Sequence, residues 1–156
     1  MSSASLFSLA YFSRNEVGNT PEQLHAAIAS ILASARRNNL HHGITGALLF
    51  SDGCFAQVLE GPQDAVEAIF ETIQCDLRHS HVTVLRAHPI DARSFGEWSM
   101  AFGGIDGVST NPNITADGMG NADDILAVEE GRSLLAALRS VVHRDDLALR
   151  DEKAGR

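Results

Sequence analysis

An α+β fold is what this sequence predicts, and three observations carry it. Apolar runs of strand length alternate with two stretches whose apolar residues recur at helical spacing. The segment Ser51-Asp52-Gly53, with its Asp-Gly hairpin signal, separates two of those runs. A further helical stretch follows a linker rich in Gly, Asn and Asp. With 156 residues, the chain is long enough to close one core and too short for two ordinary domains.

The first strand is read over residues 6–13, a run of apolar and aromatic residues that ends at the polar segment 14–19. Thr20 as N-cap and Pro21 at the first helical position open a helix that carries Leu24, Ile28, Ile31, Leu32 and Ala35 on one stripe. It is expected to end near residues 36–39, with an Asn in the left-handed position that follows a helix. Strands over 44–50 and 54–59 flank the Asp-Gly turn and pair antiparallel. A second amphipathic helix bears Val66, Ile69, Phe70, Ile73 and Leu77 and stops near Arg78-His79. Residues 82–87 alternate as a strand closed by Pro89, and 98–102 form the last strand.

The order βαββαββ is the split-βαβ, or ferredoxin-like, pattern with one added strand, in which both helices cover one face of the sheet. The middle strands are apolar on both faces: Leu48 and Phe50 alternate with Ala47 and Leu49, and Phe55 and Leu59 with Ala56 and Val58. The far face therefore needs its own cover. Residues 122–143, with Leu134, Leu135, Leu138, Val141 and Val142 at helical spacing, are expected to supply it there or on a partner subunit. The organisation read from the chain is a domain over 1–103, a linker over 104–121, a helical cap over 122–143 and a charged, frayed tail over 144–156.

Charge and motifs narrow the function. Twelve Lys plus Arg against twenty Asp plus Glu leave a net charge of −8, which disfavours nucleic acid and anionic lipid as partners. No apolar run approaches the roughly 20 residues of a membrane span, and the first residues lack the marks of a secretory signal, so a cytoplasmic location is expected. Cys54 and Cys75 then read as free thiols. The pairs His41-His42 and His79-Ser80-His81 lack companions at tetrahedral spacing, so no metal is expected. Walker, dinucleotide-binding and nucleophile-elbow motifs are missing, which leaves conventional catalysis little foothold.

Certain polar residues fit a plain core poorly. Gln57 shares the alternating face of Phe55 and Leu59, and an unpaired buried amide costs about 1–3 kcal/mol. A neighbouring backbone group could satisfy it. So could Tyr11, the only tyrosine, which shares a face with Phe7 and Leu9 and also needs a partner. Of Asn38 and Asn39, one suffices to end the helix; the other, turned inward, would suit a ligand with donors and acceptors on a flat edge, such as a flavin. Trp98 and Met100, two apart on one strand, read by themselves as core packing.

In order along residues 6–103, the motifs Leu9-Ala10-Tyr11-Phe12-Ser13-Arg14, Arg37-Asn38-Asn39, Gly43-Ile44-Thr45-Gly46-Ala47-Leu48-Leu49, Phe55-Ala56-Gln57-Val58-Leu59-Glu60-Gly61, Asp76-Leu77-Arg78-His79 and Phe95-Gly96-Glu97-Trp98-Ser99-Met100 resemble the BLUF family of flavin-binding blue-light sensors. The resemblance implies FAD between the two helices and a photoactive pair at Tyr11 and Gln57. It implies flavin contacts from Asn38, Asn39, Asp76, Arg78, His79 and Met100, and a signal relay through Trp98 and Met100. Ala35 departs from the family, which often has Ser there, and the connection over 14–20 is long. With no output domain in the sequence, the resemblance implies contact signalling, through self-association into a homo-oligomer or to a separate effector protein. Two other readings compete: a small acylphosphatase-like enzyme using Asn39 with Arg36 or Arg37, and a flavin-free interaction domain.

Overall fold

The computed structural model describes residues 5–16, 20–51, 53–77, 79–96, 99–104 and 122–140. Its elements are β1 (Leu6–Asn15), α1 (Pro21–His42), β2 (Thr45–Ser51), β3 (Cys54–Pro62), α2 (Gln63–Gln74), β4 (His79–Ile90), β5 (Ala101–Gly104) and α3 (Ala122–Leu126). A fourth helix, α4, covers 129–140. The strands form one sheet in the order β4-β1-β3-β2-β5. β1 lies antiparallel to β3 and β4, β2 antiparallel to β3, and β5 parallel to β2. This is the expected split-βαβ arrangement with β5 added at one edge.

Local chemistry fixes α1 at both ends. Thr20 Oγ1 accepts from the Gln23 amide at 3.1 Å, and the Gln23 side chain reaches back to the Thr20 amide. At the far end Gly43, with φ of 70°, takes the left-handed position and donates its N–H to the Asn39 carbonyl. The expected stop near Asn38-Asn39 is thus corrected: glycine occupies that conformation without a Cβ clash, so the helix runs on to His42. The β2–β3 hairpin follows its sequence signal, with Ser51 opposite Cys54 and Gly53 at φ of 82°.

Three other boundaries move for reasons of long-range pairing. Helix α2 ends at Gln74 rather than near Arg78, tightened by bonds from the Cys75 amide to Thr72 O and the Asp76 amide to Ile73 O. Leu77, expected on its buried stripe, is 91% exposed. β4 begins at His79 because β1 extends to Asn15 and pairs with it, and it continues through Pro89, which an edge strand tolerates. β5 begins only at Ala101; the carbonyls of Ser99 and Met100, expected in this strand, are bonded instead by side chains of α1.

The two faces of the sheet are covered separately. Leu9, Tyr11, Leu48, Phe55, Leu59 and Phe102 pack under α1 and α2 with Ile28, Leu32, Val66 and Phe70. On the other side Ala10, Ala47, Leu49, Ala56 and Val58 meet Ile125, Leu134, Leu135 and Leu138. The helical cover breaks at residues 127–128 instead of running continuously. There Gly131 lies so close to Ile125 that a Cβ would sit 1.9 Å from the Ile125 carbonyl oxygen. An Arg86–Glu130 ion pair joins α4 to β4. Val141, Val142, residues 105–121 of the expected linker and the tail at 144–156 lie outside the described residues.

Candidate functional site

Row by row, the sheet places Tyr11 opposite Gln57 and Gln57 opposite Leu48, all toward α1 and α2. Between the two helices lies a cleft of about 750 Å³, its open mouth included. Its walls are apolar, from Ile31 of α1, Ile69 and Ile73 of α2 and Leu48, Phe55 and Leu59 of the sheet. Polar groups from Tyr11, Asn38, Asn39, Gln57, Asp76 and His79 also line it. Apolar walls with a few converging polar groups are what a planar heteroaromatic ligand needs.

Tyr11 is buried, with its ring 5.4 Å from that of Phe70 and edge-on to His79 at 6.2 Å. Desolvation, and then the nearby Asp76 charge, push the hydroxyl well above its usual ionisation range. It is therefore held protonated, and it donates to Gln57 Oε1. The other end of the same amide donates to Met100 Sδ at 3.3 Å. A thioether is a weak acceptor, so Gln57 is held firmly at its oxygen and loosely at its nitrogen. The Tyr11–Gln57 bond expected from the alternation of β1 and β3 is present.

Asn39, on the last turns of α1, is buried and donates Nδ2 to the Ser99 carbonyl at 2.8 Å. Its Oδ1 then remains for an N–H in the cleft. Asn38 lies at the exposed rim, and Asp76 is half-buried there. His79 uses both ring nitrogens within the protein: Nε2 donates to Ile73 O at 2.6 Å, and Nδ1 meets Ser13 Oγ at 2.8 Å. It offers the cleft its ring. Met100 is fully buried and absent from the cleft lining, meeting the site only through Gln57. Arg78 and Trp98 lie outside the described residues. Ala35 lines the cleft, and beside it Ser34 supplies a hydroxyl-bearing residue.

Sequence reasoning missed a second polar anchor. Glu60, buried in β3, accepts from the backbone amides of Ser94 at 2.7 Å and Phe95 at 2.8 Å. Arg93 donates to Thr45 Oγ1, to Glu60 O and to Gly43 O. Together they fasten the β4–β5 connection to β2, β3 and the end of α1. The signal was available: Glu60 follows the apolar run Val58-Leu59 just as Gln57 interrupts Phe55-Ala56. As for the other histidines, the rings of His41 and His42 stack edge to face at 5.2 Å.

The family model for BLUF, sensors of blue-light using FAD, matches residues 6–101. Photoactivated adenylate cyclase subunit beta of Euglena gracilis is 36% identical over 88 residues, 56% of this chain and 10% of that protein. The blue light- and temperature-regulated antirepressor BluF of Escherichia coli (strain K12) is 37% identical over 73 residues, 47% of this chain and 18% of that one. The chain thus spans between a tenth and a fifth of these two curated relatives. Among solved structures, the dark state of the BLUF protein BlrB superposes with a TM-score of 0.62 at 30% identity, covering 93% of this chain and 97% of that one. The BlsA ground state gives 0.61 at 39% identity, covering 65% and 66%.

Proposed function

The chain belongs to the BLUF family, sensors of blue-light using FAD, and from that membership we propose that it is a blue-light photoreceptor in which Tyr11 and Gln57 form the switch. The observation that carries this reading is the buried Tyr11–Gln57–Met100 chain of hydrogen bonds beside the cleft. BLUF domains bind flavin. Within that class FAD is our choice: Asn38, Asn39, Asp76 and His79, which line the cleft, would hold it together with Arg78, and Met100 would act on it through Gln57. The donor set fits: Asn39 Oδ1 can accept from a ring N–H, and Gln57 presents an amide next to a phenol that stays protonated.

The flavin, when bound, supplies a photoexcited ring that is a strong one-electron oxidant. With that oxidant bound, Tyr11 would be the electron donor to it and the Gln57 amide the path for the hydroxyl proton. Electron and proton both return to Tyr11, so no net oxidation remains. What persists is Gln57 reoriented or tautomerised, which its weak bond to Met100 Sδ permits. From its place in the cleft lining, the Gln57 amide N–H would then be free to donate to a bound ring's carbonyl, which would shift the absorption to longer wavelength. One rearranged hydrogen bond is worth about 1–3 kcal/mol, whereas moving a population from 1:99 to 99:1 takes about 5.5, so the output is a partial shift.

Trp98 and Met100 carry the signal toward β5 and the helical cover on the far face, and from there to a separate effector protein or within a homo-oligomer. The BLUF domain over 1–103, the linker over 104–121 and the cap over 122–143 divide the work of sensing, connection and output. The cyclase activity that names the Euglena relatives belongs to those longer proteins; the part this chain matches is the sensor. Among the described residues no helix is long and apolar enough to cross a membrane. The test is an absorption spectrum in darkness, after blue light and during recovery, with the released chromophore identified. Flavin bands that shift to the red and return support the reading. A flavin that bleaches, or no flavin, overturns it.

A further inference from the structure

Helix α1 reaches across to the segment before β5 with two side chains one turn apart. Asn39 Nδ2 holds the Ser99 carbonyl at 2.8 Å, and Arg36 Nε holds the Met100 carbonyl at 3.2 Å. Arg36 is in an unusual setting for a guanidinium. Its Nη2 is buried and has no hydrogen-bond partner among the described residues, and no carboxylate pairs with it there. Desolvation pushes its ionisation downward, a cost with no compensating charge. An arginine serving only solubility would keep its charged head in water. The interaction that Arg36 makes in this position is with Met100.

Resting on the photoreceptor reading above, we propose that Arg36 is a positioning residue for the switch: it holds the Met100 backbone so that Sδ stays opposite Gln57 Nε2. The Met100 sulfur is a weak acceptor, its side chain has three rotatable bonds, and its neighbour on β2 is Gly46, where an added Cβ would lie 3.4 Å from Met100 Cε. The Met100 side chain is buried but unbranched, so where its sulfur sits follows from its backbone, which the Arg36 Nε bond and the adjacent Asn39–Ser99 bond hold toward α1. Asn39 also lines the cleft, so Arg36 is the member of the pair that acts on the switch without touching the ligand. The arrangement it favours is the resting one, in which Tyr11 donates to Gln57 Oε1.

The prediction concerns the return from the illuminated state. Without Arg36, the contact that draws Gln57 Nε2 back to Met100 Sδ is less well placed, and dark recovery slows. Arg36→Ala is expected to keep bound flavin and the red shift, and to slow recovery at least threefold. Arg36→Lys, which keeps the charge but not the planar fork, is expected to fall between the two. In a Met100→Leu background, where no sulfur faces Gln57, Arg36→Ala is expected to change the rate by less than a factor of 1.5. A merely structural role would instead lower the melting temperature and leave the rates additive. Recovery within twofold of the unsubstituted chain, faster recovery, or additive effects in the double variant would overturn the proposal. Should Arg36→Ala fail to fold, Arg36→Lys decides: recovery slowed at least 1.5-fold supports the proposal, and an unchanged rate overturns it. An unsubstituted chain that shows no reversible red shift fails the photoreceptor reading itself, a separate result.

Discussion

The two faces of one sheet are built to opposite specifications. Toward α1 and α2 the strands present large side chains, Leu9, Tyr11, Leu48, Phe50, Phe55 and Phe102, and the helices stand off far enough to leave the cleft. Toward α3 and α4 they present mostly smaller ones, Ala10, Ala47, Ala56, Val58 and Ala101 beside Leu49 and Cys54, and these pack against Ile125, Leu134 and Leu138. The face with the larger side chains keeps room for a ligand and the buried amide and phenol that address it, while the other is closed by apolar packing. A strand alternates between the two with a period of two residues, so Gln57 and Val58 are adjacent in sequence and serve different faces.

The most damaging change to the first face is expected from Gln57→Leu, which has similar volume and no donor or acceptor. Flavin stays bound and the reversible red shift disappears entirely; a normal light-minus-dark spectrum in this variant would show that the switch lies elsewhere. The second face is broken best at Gly131. Gly131→Val drives a side chain into the Ile125 carbonyl and is expected to cost about 2–4 kcal/mol. That corresponds to a melting temperature lower by about 5–15 °C. If the faces are separable, the red shift in the cold is retained, and its loss there would mean that the cover is part of the switch.

The pH dependence sharpens the contrast because Tyr11 is the only tyrosine. Its hydroxyl ionises near pH 10 in the unfolded chain and at higher pH in the folded one, owing first to desolvation and then to Asp76. The stabilising effect is therefore present below pH 10 and lost as the pH rises above it, at up to about 1.4 kcal/mol per pH unit. Tyrosinate absorption is expected to appear only together with unfolding measured by circular dichroism. Phenol titration in a folded chain would contradict the burial. The smallest effect is assigned to Leu77→Ser. At 91% exposure the substitution is expected to change stability by less than about 0.5 kcal/mol in a denaturant titration, whereas a core leucine would cost several.

Much of this was legible in order along the chain. The Thr20-Pro21-Glu22-Gln23 cap, the Asp-Gly hairpin and the alternation that puts Tyr11 and Gln57 on one face are local features, and each is found in the structure. Leu77 shows where such reasoning stops. Its spacing continues the stripe of α2, but the chain must turn there so that His79 can pair with Asn15 at the end of β1. The same holds for Met100, which alternates like a strand residue while its carbonyl is taken by Arg36, 64 residues away.

The sequence by itself determined the order of elements, the faces of the strands and the facing of Tyr11 and Gln57 across β1 and β3, because periodicity, capping and turn chemistry act over a few residues. Only the tertiary structure decided where α2 and β5 begin and end, that the cover breaks at 127–128, that His79 is spent on Ser13 and Ile73, and that Asn39 and Arg36 grip the approach to β5. Each of these depends on which distant donors and acceptors the closed sheet brings within hydrogen-bonding distance, and a bond of about 3 Å between residues tens of positions apart leaves no period in the chain.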